Sequence, residues 1–251
     1  MSLEARIEAA LGRTVQRLMP LHGGDLSDVR RIDFQDGSHA VAKTGPHVAA
    51  EARMLAALTR AGASAPAVLY SQNGLVVLEF LHETPPSPEG WRHLGTKLKT
   101  LHGTLGQCYG WQENYAFGTV AIDNAFDDDW PRFWAERRLL AGQDALPPDI
   151  RPRLENLANR IGDLLPGTPP PALLHGDLWS GNLLFAGHRA HLIDPASYHG
   201  DAEVDLAMLT LFGSPPPAFF EGYGNLPEGY EKRRPLYQLW PALVHLRLFG
   251  E

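Results

Sequence analysis

The run Leu173–Phe185, LLHGDLWSGNLLF, sets Asp177 and Asn182 five positions apart between two apolar stretches. A second aspartate, Asp194, closes the next apolar run in LIDP, and far upstream Lys43 sits inside the apolar AVAK with Glu51 following it. These types have a joint chemistry. Asn182 and Asp194 offer hard oxygen ligands for a divalent ion such as Mg²⁺. Asp177 can take the proton of an attacking hydroxyl. Lys43, held by Glu51, can meet phosphate oxygens as a point charge. The set suits transfer of a phosphoryl group from a polyphosphate donor to an alcohol.

Elements must deliver these groups to one place. TVQRLMPL, SDVRRIDF and SHAVAKTG read as strands, and PAVLYSQNGLVVLEFL as a hairpin around Asn73-Gly74. Pro46 opens a helix that Gly62 stops, and a short amphipathic helix covers residues 2–11. After the break ETPPSPEG the chain turns helical: 87–103, 127–142 with three aspartates at its start, 146–165, around Val204–Phe212, and Pro235–Phe249. Two short strands, NLLF and AHLID, flank Gly187 and return Asp194 beside Asn182.

The order Gly-rich loop, Lys, Glu, connecting strand, His-Gly-Asp-x-x-x-x-Asn, Asp is the kinase arrangement. It predicts ATP and Mg²⁺ as cofactors. Gly23 and Gly24, in LHGGDLS, would cover the phosphates; no Gly-Lys-Ser/Thr follows, so this is not a Walker A loop. Lys43 and Glu51 would position the phosphates. The backbone of Glu79, Phe80 and Leu81 would bond adenine, with Val41, Leu184 and Ile193 against its ring or behind the metal site. Asp177 would be the base, and Asn182 and Asp194 the metal ligands. Trp179, between base and ligand, would wall the acceptor site. The fold class is α+β, a protein-kinase-like bilobal fold. Residues 1–81 form a nucleotide-binding lobe, a small antiparallel five-stranded sheet with one helix. Residues 82–251 form a mainly helical catalytic and substrate-binding lobe.

Composition narrows the partners. A net charge of −7 without a long basic cluster argues against nucleic acid. No apolar run reaches the roughly 18 residues of a membrane span. The N-terminus has no apolar signal core, and the single cysteine, Cys108, suits a reducing compartment, so the reading is a cytoplasmic protein. The histidines show no zinc spacing, and no Gly-x-Ser-x-Gly elbow suggests a serine hydrolase.

The stretches HGDLWSGN, LIDPASYHGDAEVDLAMLTLFG, YGWQENYAFGTVAIDNAFDDDWPRFWAERRL and YQLWPALVHLRLFG resemble the fructosamine (ketosamine 3-) kinase family, over nearly the whole chain. The resemblance implies ATP-dependent phosphorylation of the sugar O3 of a ketosamine, either a small molecule or a glycated amine or protein. The phosphorylated adduct then sheds its amine. It also implies that Asp205, in EVDLAM, braces the catalytic loop through backbone N–H groups. Two features depart from the family pattern: His22 stands where serine is frequent, and the family usually continues past FGE with a further helix. Two alternatives stay open at this level, an aminoglycoside- or choline-type small-molecule kinase and a catalytically silent kinase-like binding module.

Overall fold

The computed structural model describes residues 1–21 and 28–250. His22 and the predicted phosphate-loop glycines, Gly23 and Gly24, lie outside the described residues. The chain opens with α1 (Leu3–Leu11), capped by the Ser2 hydroxyl on the Ala5 amide at 3.3 Å. Strands β1 (Val15–Pro20), β2 (Asp28–Phe34) and β3 (His39–Thr44) follow, then α2 (Val48–Arg60), β4 (Val68–Gln72) and β5 (Leu75–Glu79). The five strands form one antiparallel sheet in the order β1-β2-β3-β5-β4.

Side chains alternate across a strand, so each face of the sheet needs a cover. Ile32, Phe34, Ala40, Ala42, Leu75 and Val77 pack on Ile7 of α1. Val76 and Leu78, with Val41 beside them, pack on Val48, Ala52 and Leu55 of α2. The sheet is thus covered by two helices, α1 and α2, each at a position the sequence predicts, where the lobe was expected to hold one. The same alternation sends Lys43, two positions from Val41, toward α2.

The rest is mainly helical. It contains α3 (Pro88–His102), β6 (Tyr115–Phe117), β7 (Val120–Ile122), α4 (Trp130–Trp134), α5 (Arg151–Arg160), β8 (Ala172–Leu173), β9 (Leu183–Ala186), β10 (Arg189–Leu192), β11 (His199–Gly200), α6 (Glu203–Leu209), α7 (Pro217–Tyr223) and α8 (Tyr230–Phe249). Ser87 caps α3 and Asp129 caps α4, each through its side-chain oxygen. The continuous helix expected over 127–142 is instead α4 followed by a π-helical turn, Ala135–Leu139. That turn buries Arg138 completely. Its guanidinium bonds the Asp123 carbonyl (2.7 Å) and Asn124 Oδ1 (2.8 Å), and lies over the rings of Phe133, Tyr198 and Trp240.

Two apolar cores hold this part. Trp130, Phe133, Trp134, Tyr237 and Trp240 centre one; Leu94, Leu98, Leu178, Leu192 and Phe219 centre the other. Full burial of such side chains contributes about 1.5–3 kcal/mol each. The second core lies directly beneath the loop between β8 and β9, because Leu178 of that loop is part of it. The final helix starts at Tyr230, earlier than predicted, and runs through both Pro235 and Pro241. No helix among the described residues is long and apolar enough to cross a membrane.

Candidate active site

Lys43 is buried, and its ammonium bonds Glu51 Oε1 of α2 at 2.7 Å and Asp194 Oδ1 at 2.5 Å. Burial alone would push the ammonium's pKa down. The charges of Glu51 and Asp194 outweigh it and raise the pKa, so Lys43 is cationic. Asp194 follows β10 and takes a left-handed backbone, φ 54°. Aspartate tolerates this region better than most residues, but the conformation is sparsely populated and marks a constrained position. It is held there by its neighbour: Ile193 donates its N–H to the Asn182 carbonyl (3.1 Å), and its own carbonyl accepts from His175 Nε2 (2.9 Å).

The catalytic-loop candidate, residues 174–182, is fixed from below. Asp205 of α6 is fully buried and accepts the N–H groups of His175 (2.7 Å) and Gly176 (2.9 Å). It also bonds His102 Nε2 of α3 at 3.1 Å, and His102 Nδ1 meets the Tyr223 hydroxyl of α7 at 2.9 Å. Gly176 has φ +83°, and a Cβ there would lie 2.0 Å from the Ala196 carbonyl oxygen, so only glycine fits. The turn it makes presents Asp177. Asn182 donates from Nδ2 to both the carbonyl and the Oδ2 of Asp177, each at 2.8 Å. The Asn182 amide is therefore oriented with its nitrogen toward Asp177, and its Oδ1 remains available to a cation. Burial pushes the Asp177 carboxyl up to about 7; the Asn182 hydrogen bond opposes this, and the charges of Asp194 and Asp205 add to it. A carboxyl poised near neutrality suits proton acceptance from a hydroxyl.

These groups stand at one end of a cleft of about 820 Å³ whose lining includes Lys43, Glu51, Asp177, Asn182 and Asp194. Trp179 lines it too. Its indole lies over Gly181, where a Cβ would be 2.2 Å from the ring, and meets Phe212 edge-on at 5.6 Å. Trp179 is half-buried in the cleft wall and not part of either core.

The predicted adenine-side residues stand outside the cavity lining. Glu79 ends β5 opposite Ala40, and its carboxylate accepts the Ala67 N–H at 3.2 Å. Phe80 packs its ring against His39, beneath the Arg31 guanidinium. Leu81 is half-buried, and Leu184 pairs with His191 in the β9–β10 hairpin. Thr84, just after this connection, donates its N–H to the Phe185 carbonyl at 2.8 Å, which ties residues 79–84 to β9.

Several site residues had no signal in the kinase pattern. The β6–β7 hairpin brings Tyr115 and Phe117 into the cleft. Tyr115 packs on His47 at 5.8 Å; burial raises its phenol pKa, with the charges of Glu51, Asp194 and Asp177 adding to the rise. A two-pronged ion pair, Arg53 of α2 with Glu113, ties the start of this hairpin to the helix that carries Glu51. The alternation in YAFGTVAI around Gly118 was the available clue. The opposite wall comes from α6 and α8.

A two-lobed α+β architecture with this Lys–Glu pair and loop is the protein-kinase-like fold. A model of the fructosamine kinase family matches residues 2–251, and the chain belongs to that family of phosphotransferases. It is 39% identical over 190 residues to the "probable ketoamine kinase" of Synechocystis sp., covering 70% of this chain and 62% of that protein's length. Over 244 residues it is 36% identical to the "probable ketoamine kinase" of Thermus thermophilus, covering 93% of this chain and 88% of the relative. A solved structure from Thermobifida fusca, called a "putative fructosamine-3-kinase", superposes with a TM-score of 0.89 at 33% identity, over 99% of this chain and 93% of that one.

Proposed function

We propose that the protein transfers the γ-phosphoryl group of ATP to the sugar O3 of a ketosamine, with Mg²⁺. The observation that carries this reading is the convergence of Lys43, Glu51, Asp177, Asn182 and Asp194 at one end of a single cleft. Residues 1–81 serve as the nucleotide lobe and residues 82–251 as the catalytic lobe. Gly23 and Gly24 are assigned to the phosphate cover, and Glu79, Phe80, Leu81, Leu184 and Ile193 to the adenine side.

The donor set fits a divalent ion of the hard type: Asn182 Oδ1 and the Asp194 carboxylate are oxygen ligands beside a protonated lysine. No cluster of three or more His, Cys, Asp or Glu side chains suited to a metal occurs among the described residues. A shell built from one carboxylate and one amide is completed by phosphate oxygens and water, the usual manner of Mg²⁺. Bound there, Mg²⁺ would neutralise charge on the phosphate oxygens.

Lys43 turns part of its charge to the donor's phosphates, with Glu51 fixing its direction. Asp177 takes the proton as the sugar oxygen bonds to phosphorus and the bond to the leaving diphosphate breaks. Asn182 keeps the Asp177 carboxylate aimed. Trp179 offers a flat face to the sugar's C–H groups and excludes water. The test is ADP release with Mg-ATP and, in parallel, fructosyl-lysine, ribulosyl-lysine, kanamycin and choline. Release with the ketosamines alone is the expected result. Release with kanamycin or choline alone would replace this reading.

A further inference from the structure

The cleft is electrically lopsided. Among the described residues its charged lining is Lys43, Glu51, Asp177 and Asp194, all at the phosphoryl-transfer end, and Lys43 is already engaged by two carboxylates. Much of the remaining lining is apolar: Met208 of α6 and Leu211 and Phe212 just after it, together with Trp240, Val244 and Leu248 of α8. Among the described residues neither an arginine nor a second lysine lines the cleft. Among the described residues, His47 and His245 are its remaining basic side chains.

A ketosamine set with its sugar at Asp177 must send its amine substituent somewhere. The acidic end favours the cationic amine nitrogen itself. Beyond it, among the described residues, a carboxylate would lose water with neither an arginine nor an unengaged lysine to receive it, close to three acidic side chains. An alkyl or aryl group would instead bury against aliphatic and aromatic side chains. Resting on the ketosamine reading above, we infer that this cleft selects ketosamines whose amine carries an uncharged alkyl or aryl group next to the nitrogen, and rejects those with a carboxylate there. Phe212, exposed beside Trp179, is the specificity-determining residue for that group.

The experiment compares kcat/KM for fructose adducts of propylamine, benzylamine and glycine; propylamine and glycine differ little in size but by one carboxylate. The propyl and benzyl adducts should exceed the glycine adduct by about tenfold or more, the effect of about 1.4 kcal/mol of unpaired desolvation. Phe212→Ala should narrow the benzyl-to-glycine ratio through KM. Leu211→Arg, which adds a cation to the wall, should raise the glycine adduct relative to the propyl one. Equal turnover of all three by the parent protein would overturn the inference and leave the kinase reading standing. Turnover of none would overturn the kinase reading, and the inference with it.

Discussion

At the scale of single residues the account rests on three side chains with separable roles. Asp177→Asn keeps the size and the Asn182 contact but removes the proton acceptor. Its turnover should fall by roughly 10²–10⁴-fold, the range of a positioned general base, with nucleotide affinity retained. Asp194→Asn removes a ligand charge, so its defect should show first as a higher Mg²⁺ requirement. A parental Mg²⁺ titration would take Asp194 out of the metal shell. Trp179 is half-buried, so Trp179→Ala should cost less than the ~3–5 kcal/mol of emptying a core tryptophan. It should raise the ketosamine KM and leave ATP affinity within about twofold. Unfolding with parental kinetics in the surviving fraction would mean that the indole only packs.

Elements, not residues, explain why the loop holds its shape. Asp205 joins the catalytic loop to α3 and α7 through His102 and Tyr223. Asp205→Ala would leave two buried amides unpaired, at about 1–3 kcal/mol each. Burial raises the Asp205 carboxyl pKa, but the His102 and Gly176 hydrogen bonds and the nearby imidazoles outweigh it, and the net shift is downward. A depressed carboxyl stabilises the fold above its unfolded value of about 3.9 and loses that contribution as pH falls through the folded value. Urea midpoints of the parent should therefore drop on acidification below about pH 4 by more than those of Asp205→Asn. Identical acid limbs would contradict the brace. Arg138 plays the matching part for the β6–β7 hairpin. Arg138→Met keeps apolar bulk but strands the Asp123 carbonyl and Asn124 amide, so a loss of about 2–4 kcal/mol in urea unfolding is expected.

For the whole molecule, legibility follows the range of the interactions. The sheet was readable because alternation, Asn73-Gly74 and Pro46 are local signals, and the structure has all five strands and α2. The pairing of Lys43 with Glu51, and the return of Asp194 to the same site, were readable because the pattern has a fixed order; the direct bond between Lys43 and Asp194, 151 positions apart, was not expected. The π-helical turn was not, because a helical pattern over 127–142 looks the same with one extra residue per turn; what selects the bulge is Arg138 meeting an aromatic cage assembled from distant parts of the chain. Apart from Trp179, the apolar lining of the cleft was illegible for the same reason. Met208, Phe212 and Trp240 are ordinary apolar residues until α6, the turn after it and α8 bring them into the cleft that Asp177 also lines. Asp205 was legible only through resemblance, since nothing local marks a carboxylate that caps a loop about thirty positions away.

The central claim is phosphoryl transfer from ATP to a ketosamine hydroxyl with Asp177 as base. Phosphorus NMR of a single reaction containing Mg-ATP and a fructosamine, run with the parent protein and with Asp177→Asn, reads it directly. The account predicts a new phosphomonoester coupled to the sugar H3 proton, growing in step with ADP for the parent and nearly absent for the variant. A phosphomonoester at another hydroxyl, or one formed equally fast by the variant, would contradict it.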